Sequence, residues 1–206
     1  MKEKIEISLT EFLNFVNKSG SAKATVVRSV KRGREEDYES FKDYLLPFRN
    51  KLREAHKEKK PKDFLNELIG EVNPEKRSNY SAAVLGYLKY WGRKKIEWVD
   101  PSRKVWSVGD LRISLNPELG LIIKDQIYII KLFLKTNETL DKKHADLILN
   151  LMEKELRPKV GGKEPIFAVL DVKRAKLFQN RTKDISLYPL LKGEARSFES
   201  QWKDID

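Results

Sequence analysis

The run Ile127-Tyr128-Ile129-Ile130-Lys131-Leu132-Phe133-Leu134 limits the fold more than any other stretch, because it is apolar at both odd and even positions. A strand wetted on one face alternates apolar and polar residues, whereas one covered on both faces does not. The run therefore predicts a central strand with packed layers on either side. Lys131 is its exception. It falls on the face shared by Ile127, Ile129 and Phe133, where an ammonium loses its hydration and needs a carboxylate or carbonyl partner.

The flanking sequence supplies candidates for those layers. Upstream, Leu111, Ile113 and Leu115 alternate with polar residues, Asn116-Pro117-Glu118 interrupts, and Leu119–Ile123 resumes the apolar run, a pattern that reads as a hairpin. Downstream, Leu140, His144, Leu147, Ile148, Leu151 and Met152 recur at helical spacing and predict a helix over Thr139–Leu156, with Lys142, Asp146, Asn150 and Glu153 facing outward. Arg157–Glu164 reads as a connection. Ile166–Val172 is expected to be a buried strand, and Ala175–Phe178 another after the Lys173-Arg174 turn. Beyond Asn180 the expectation is an extended tail, anchored by Tyr188, Leu190, Leu191, Phe198 and Trp202.

The first half has a different character. Ser8-Leu9-Thr10-Glu11 has capping-box spacing and predicts a short helix to about Asn17. Ala24–Val30 is rich in β-branched residues and reads as a strand. Tyr38, Phe41, Tyr44, Leu45, Phe48, Leu52 and Ala55 predict a helix kinked or divided at Pro47. Further helices are expected from Pro61 to Glu71 and from Ser78 to Trp91, the latter closing at Gly92. The fold class is thus α+β: N-terminal helices and a strand packed with a mainly antiparallel C-terminal sheet and one crossover helix. Three regions are expected within one compact unit: a mainly helical basic region (1–104), a mixed sheet-plus-helix core (105–180) and the tail (181–206).

Charge points to the partner. Lys and Arg number 42 against 31 Asp and Glu, a net +11. Residues 1–104 carry 24 basic and 16 acidic side chains, the remainder 18 and 15, so most of the excess lies in the first half. A surface of this kind attracts polyanions, and nucleic acid (DNA or RNA) is the leading expectation, with an acidic protein as an alternative partner. The densest clusters are Lys31, Arg32 and Arg34; the stripe Arg49, Arg53 and Lys57, spaced four apart; and Arg93, Lys94 and Lys95, flanked by Tyr90 and Trp98. The absence of cysteine removes disulfides and thiolate chemistry and suits a reducing, cytoplasmic setting. The N-terminus lacks a signal-like apolar run and nothing has the length of a membrane span, so no membrane partner is expected.

Few residues suggest catalysis. His56 and His144 are far apart and poorly placed for zinc, and Gly161-Gly162-Lys163 lacks phosphate-loop spacing. Carboxylates at strand margins remain. Asp110, Glu118 and Asp171 are candidate metal ligands, and Glu118, Lys131 and Asp171 candidate catalytic residues, because hard oxygens at a strand edge can hold magnesium while a lysine stabilises developing charge. The strand, helix, strand succession is similar to the restriction-endonuclease-like core, with Pro117-Glu118 resembling its first acidic element. That resemblance implies a magnesium-dependent nuclease. The family also pairs an acidic residue with a lysine two positions later, and here Ile129 stands two before Lys131. The leading expectation is therefore a non-catalytic or accessory nucleic-acid-binding protein without a cofactor. The alternatives are a nuclease with a degenerate core using magnesium, and an interaction subunit that docks an acidic partner.

Overall fold

A computed structural model of the chain describes residues 4–35, 44–135, 138–157, 164–180 and 184–205. Its centre is the strand expected there. β6 (Gln126–Phe133) is third in a five-stranded sheet that also contains β2 (Glu97–Trp98), β5 (Leu119–Ile123), β7 (Ile166–Asp171) and β8 (Lys176–Gln179), in the order β2-β5-β6-β7-β8. Only β6 and β7 run parallel in it, and helix α6 (Lys142–Leu156) makes their crossover.

Both faces of β6 are covered, as its composition requires. Tyr128, Ile130 and Leu132 join Leu119, Leu121, Ala168 and Leu170 against α3 (Leu46–Lys57), α4 (Phe64–Glu71) and α5 (Arg77–Trp91). Ile127, Ile129 and Phe133 join Phe167 and Val169 on the opposite face, against α6 and a second layer. That layer is a three-stranded sheet, order β1-β4-β3, built from β1 (Ile5–Ser8), β3 (Lys104–Val108) and β4 (Leu111–Leu115), with helices α1 (Leu9–Val16), α2 (Ser21–Glu35) and α7 (Tyr188–Asp204). The α+β class is as expected. No helix among the described residues is long and apolar enough to cross a membrane.

Local signals held where they were complete within a few residues. Ser8 caps α1 through a reciprocal capping box with Glu11, and Asp141 caps α6 by accepting from the His144 N–H at 2.8 Å. Gly92 ends α5 with φ of 50°, where a Cβ is disfavoured. Gly120 and Gly86 meet a different need. A Cβ at Gly120 would stand 2.1 Å from the Val99 carbonyl oxygen, and one at Gly86 the same distance from that of Val172. Hydrogen side chains there let β2 close the sheet edge and α5 lie against the β7 end.

Four expectations are corrected. The hairpin across Leu111–Ile123 does not form: β4 pairs with β1 and β3, β5 with β2 and β6, and Asn116-Pro117-Glu118 carries the chain from one sheet to the other. The strand expected at Ala24–Val30 is the middle of α2, whose Val30 stands three and four positions after Val27 and Val26, so that the three share one face and pack on the core shared with α1 and α7. The expected extended tail is α7, which buries Leu191, Ala195, Phe198 and Trp202. On α6, Asn150 and Glu153 are buried instead of outward: Asn150 Oδ1 accepts from the Leu187 N–H at 2.8 Å, and Glu153 pairs with Arg157. The second layer covers the side of α6 that a single-sheet fold would leave wet. Pro47 sits in the first turn of α3 and so starts that helix, while Tyr38 and Phe41 lie outside the described residues, as do Gly161, Gly162 and Lys163.

Candidate nucleic-acid interface

Lys131 finds the partner its position demands. Glu118, at the start of β5, places Oε1 2.5 Å from Lys131 Nζ, and its Oε2 accepts from the Leu132 N–H at 2.7 Å. Both side chains are largely withdrawn from water, at 13% and 7% exposure. The carboxylate thereby satisfies an ammonium and a backbone donor that the apolar neighbours Ile129 and Phe133 cannot.

This pair lies on the floor of a cleft of about 970 Å³. Its walls come from α1 and α2, from the start of α3, from the chain leaving β6 and from the first turns of α6. It opens at the carboxyl end of β6, the parallel-strand end where α/β sheets commonly bind ligands. Among the described residues, five cationic side chains line it, Lys18, Arg34, Arg49, Lys131 and Lys135, and three carboxylates, Glu11, Glu118 and Glu138.

The ion pairs within the cleft differ in strength. Arg34 Nη2 reaches both Glu11 oxygens, at 3.1 and 3.0 Å, with the two side chains 36% and 27% exposed. Lys135 contacts Glu138 at 2.8 Å and Asn14 Oδ1 at 2.7 Å, and Glu138 is 59% exposed. Exposed pairs of this kind are worth about 0–1 kcal/mol and exchange readily for another anion. The sheltered Lys131–Glu118 pair is held far more firmly.

The other expected basic residues are dispersed. Lys31 donates to the Ile205 carbonyl at the end of α7, and Arg32 is exposed on α2 away from the cleft lining. Arg49, Arg53 and Lys57 run the length of α3, so Lys57 stands roughly 12 Å along the axis from Arg49. Arg53 contacts Asn50 at 3.4 Å and Lys57 reaches Asp100 at 3.7 Å. Arg93, Lys94 and Lys95 follow α5, where Lys94 and Lys62 donate to the carbonyls of Tyr90 and Gly92. Burial, with Lys62 nearby, lowers the Lys94 pKa. Of the nine, Arg34 and Arg49 belong to the cleft and Lys57, Arg93, Lys94 and Lys95 to a second group at the far end of α3, while Lys31, Arg32 and Arg53 belong to neither.

The three candidate carboxylates do not converge. Asp110 sits in the β3–β4 turn of the smaller sheet and pairs with Lys203 at 2.7 Å. Asp171, fully buried, pairs with Arg174 at 3.1 Å. Among the described residues no group of three His, Cys, Asp or Glu side chains is placed to hold a metal ion. Lys18 and Lys135 belong to the cleft without having been expected there, and His144, expected on the buried face of its helix, lines the cleft with its ring 38% exposed. Lys135 was the most findable of them, standing just past the predicted central strand.

His56 lies beneath the second group. It is 4% exposed, its Nε2 is 2.6 Å from the Tyr87 hydroxyl, and its ring lies 4.3 Å from that of Trp91. Burial pushes its pKa down to about 4. The unfolded chain therefore takes up a proton first, near pH 6.5, so the stability contributed by the neutral ring is complete above that pH and is lost as pH falls toward 4. The loss amounts to about 3 kcal/mol. Urea melts at pH 7 and pH 4 should show a His56→Gln variant losing less stability over that interval than the parent, and equal losses would contradict the assignment.

The chain matches no protein-family model, no curated protein and no solved structure.

Proposed function

We propose that the protein binds nucleic acid, with the phosphate backbone seated in the cleft beside β6. One observation carries the reading: among the described residues, cations from four separate segments, Lys18, Arg34, Arg49 and Lys135, converge on one concave site, and two of the ion pairs there are exposed enough to open for phosphate. In this reading Lys131 is a fixed element of the floor, already engaged by Glu118, while Lys18, Arg34, Arg49 and Lys135 meet the ligand. Arg93, Lys94, Lys95 and Lys57 add a second contact for strand that leaves the cleft. Fluorescence anisotropy with labelled DNA and RNA oligonucleotides in about 50 mM salt tests it, because nonspecific polyanion binding is strongest at low ionic strength. Saturable binding is expected, and its absence overturns the proposal.

A second reading, magnesium-dependent phosphodiester cleavage, is favoured by the meeting of Glu118 and Lys131 at 2.5 Å where the resemblance implies an acid and a lysine. Against it, Ile129 is 1% exposed and apolar where the second carboxylate would stand. The residues present thus offer Glu118 alone from that pair, a poor fit to a hard divalent ion that needs several oxygens. Incubating the protein with plasmid and RNA in magnesium or manganese separates the readings: cleavage abolished by Glu118→Gln supports the nuclease, and intact substrate supports binding alone.

A further inference from the structure

We infer that the cleft takes an unpaired strand in preference to a duplex, because aromatic side chains share it with the cations: Tyr44 and Phe133, with His144 at its α6 wall. The inference rests on the nucleic-acid reading above. Cations alone attract any polyanion, paired or unpaired. Unpaired strands additionally offer base faces, and proteins that hold them combine a positive groove with rings on which bases stack.

Size favours the same substrate. About 970 Å³ lies at the upper end of the roughly 300–1,000 Å³ of pockets that enclose a small organic ligand, room for a few nucleotides of one strand. A duplex, whose major groove alone is about 12 Å wide, can lie only across the mouth. Within the cleft the rings are held in place. Tyr44 is half-buried, with the Tyr80 ring 5.6 Å behind it, and its hydroxyl accepts from Asn79 Nδ2 at 3.2 Å. Phe133 is half-buried at the end of β6, on the strand face that carries Lys131. The His144 ring is 38% exposed, and its Nδ1 lies 2.7 Å from Asp141. Rings anchored in this way lose little freedom when a base settles on them.

Anisotropy titrations with a labelled 20-nucleotide single strand and with its duplex, at one salt concentration, test the inference. The parent protein is expected to bind the single strand about tenfold or more tightly than the duplex. Tyr44→Leu and Phe133→Leu should each reduce that ratio severalfold, and Tyr44→Phe should keep it. Reading the ratio of two affinities on one preparation cancels any loss of folded protein. Equal affinity for both forms, or a ratio unmoved by both leucine variants, overturns the inference while leaving the nucleic-acid reading intact. Binding to neither form overturns both.

Discussion

Replacing Glu118 by alanine is expected to cost about 3–5 kcal/mol of folding stability, the usual consequence of stranding one member of a sheltered ion pair. The carboxylate has two obligations, to Lys131 Nζ at 2.5 Å and to the Leu132 N–H at 2.7 Å. Without it, the ammonium remains on a face made by Ile129 and Phe133, and a buried backbone donor goes unpaired. Glu118→Leu combined with Lys131→Met should recover the part of the loss that comes from the stranded ammonium, since an apolar pair of similar volume often substitutes for a buried ionic one, while the Leu132 N–H stays unpaired. Urea denaturation of the single and double variants measures both effects. A single-variant loss below about 1 kcal/mol would mean that water reaches the pair freely, as at exposed ion pairs.

The cleft's exposed pairs give a prediction with opposite signs at adjacent residues. Lys18→Glu with Lys135→Glu should weaken nucleic-acid binding by about a hundredfold or more, since two charge-assisted contacts at about 1.5–3 kcal/mol each are lost. Glu138→Gln should strengthen it, because Glu138 competes with the ligand for Lys135 at 2.8 Å. Arg93→Glu with Lys95→Glu changes net charge by the same amount, yet lies beyond the far end of α3, and should matter less. Equal losses from the two double variants would show that overall charge, and not the cleft, governs affinity. Anisotropy at fixed salt reads all three.

What could be read from the sequence follows the range of each interaction. Ser8 and Glu11 satisfy each other within one turn, so their capping box is visible in four letters, and the two-sided burial of β6 is written in its own composition. Lys131 announced its need for a carboxylate, although the identity of that carboxylate depended on where β5 would lie. Errors arose where a second layer decided the outcome. Val26, Val27 and Val30 have strand propensity, but a core beside α1 and α7 rewards their helical spacing. A single sheet would leave Asn150 and Glu153 outward, and the second layer buries them. The C-terminal helix was legible and missed: Leu191, Ala195, Phe198 and Trp202 fall at intervals of four, three and four. The site was harder still. Lys18, Arg34, Arg49 and Lys135 come from four separate segments, and only tertiary structure brings them to one cleft.

Salt dependence tests the central claim most directly. Four side chains, Lys18, Arg34, Arg49 and Lys135, neutralising about four phosphates of a single strand should give a slope near −3 for log affinity against log salt. Affinity would then fall about fiftyfold between 50 and 200 mM. The double variant Lys18→Glu, Lys135→Glu should roughly halve that slope, flattening it by about 1.4. A slope shallower than about −1 in the parent protein, or one that the variant leaves unchanged, would contradict the account.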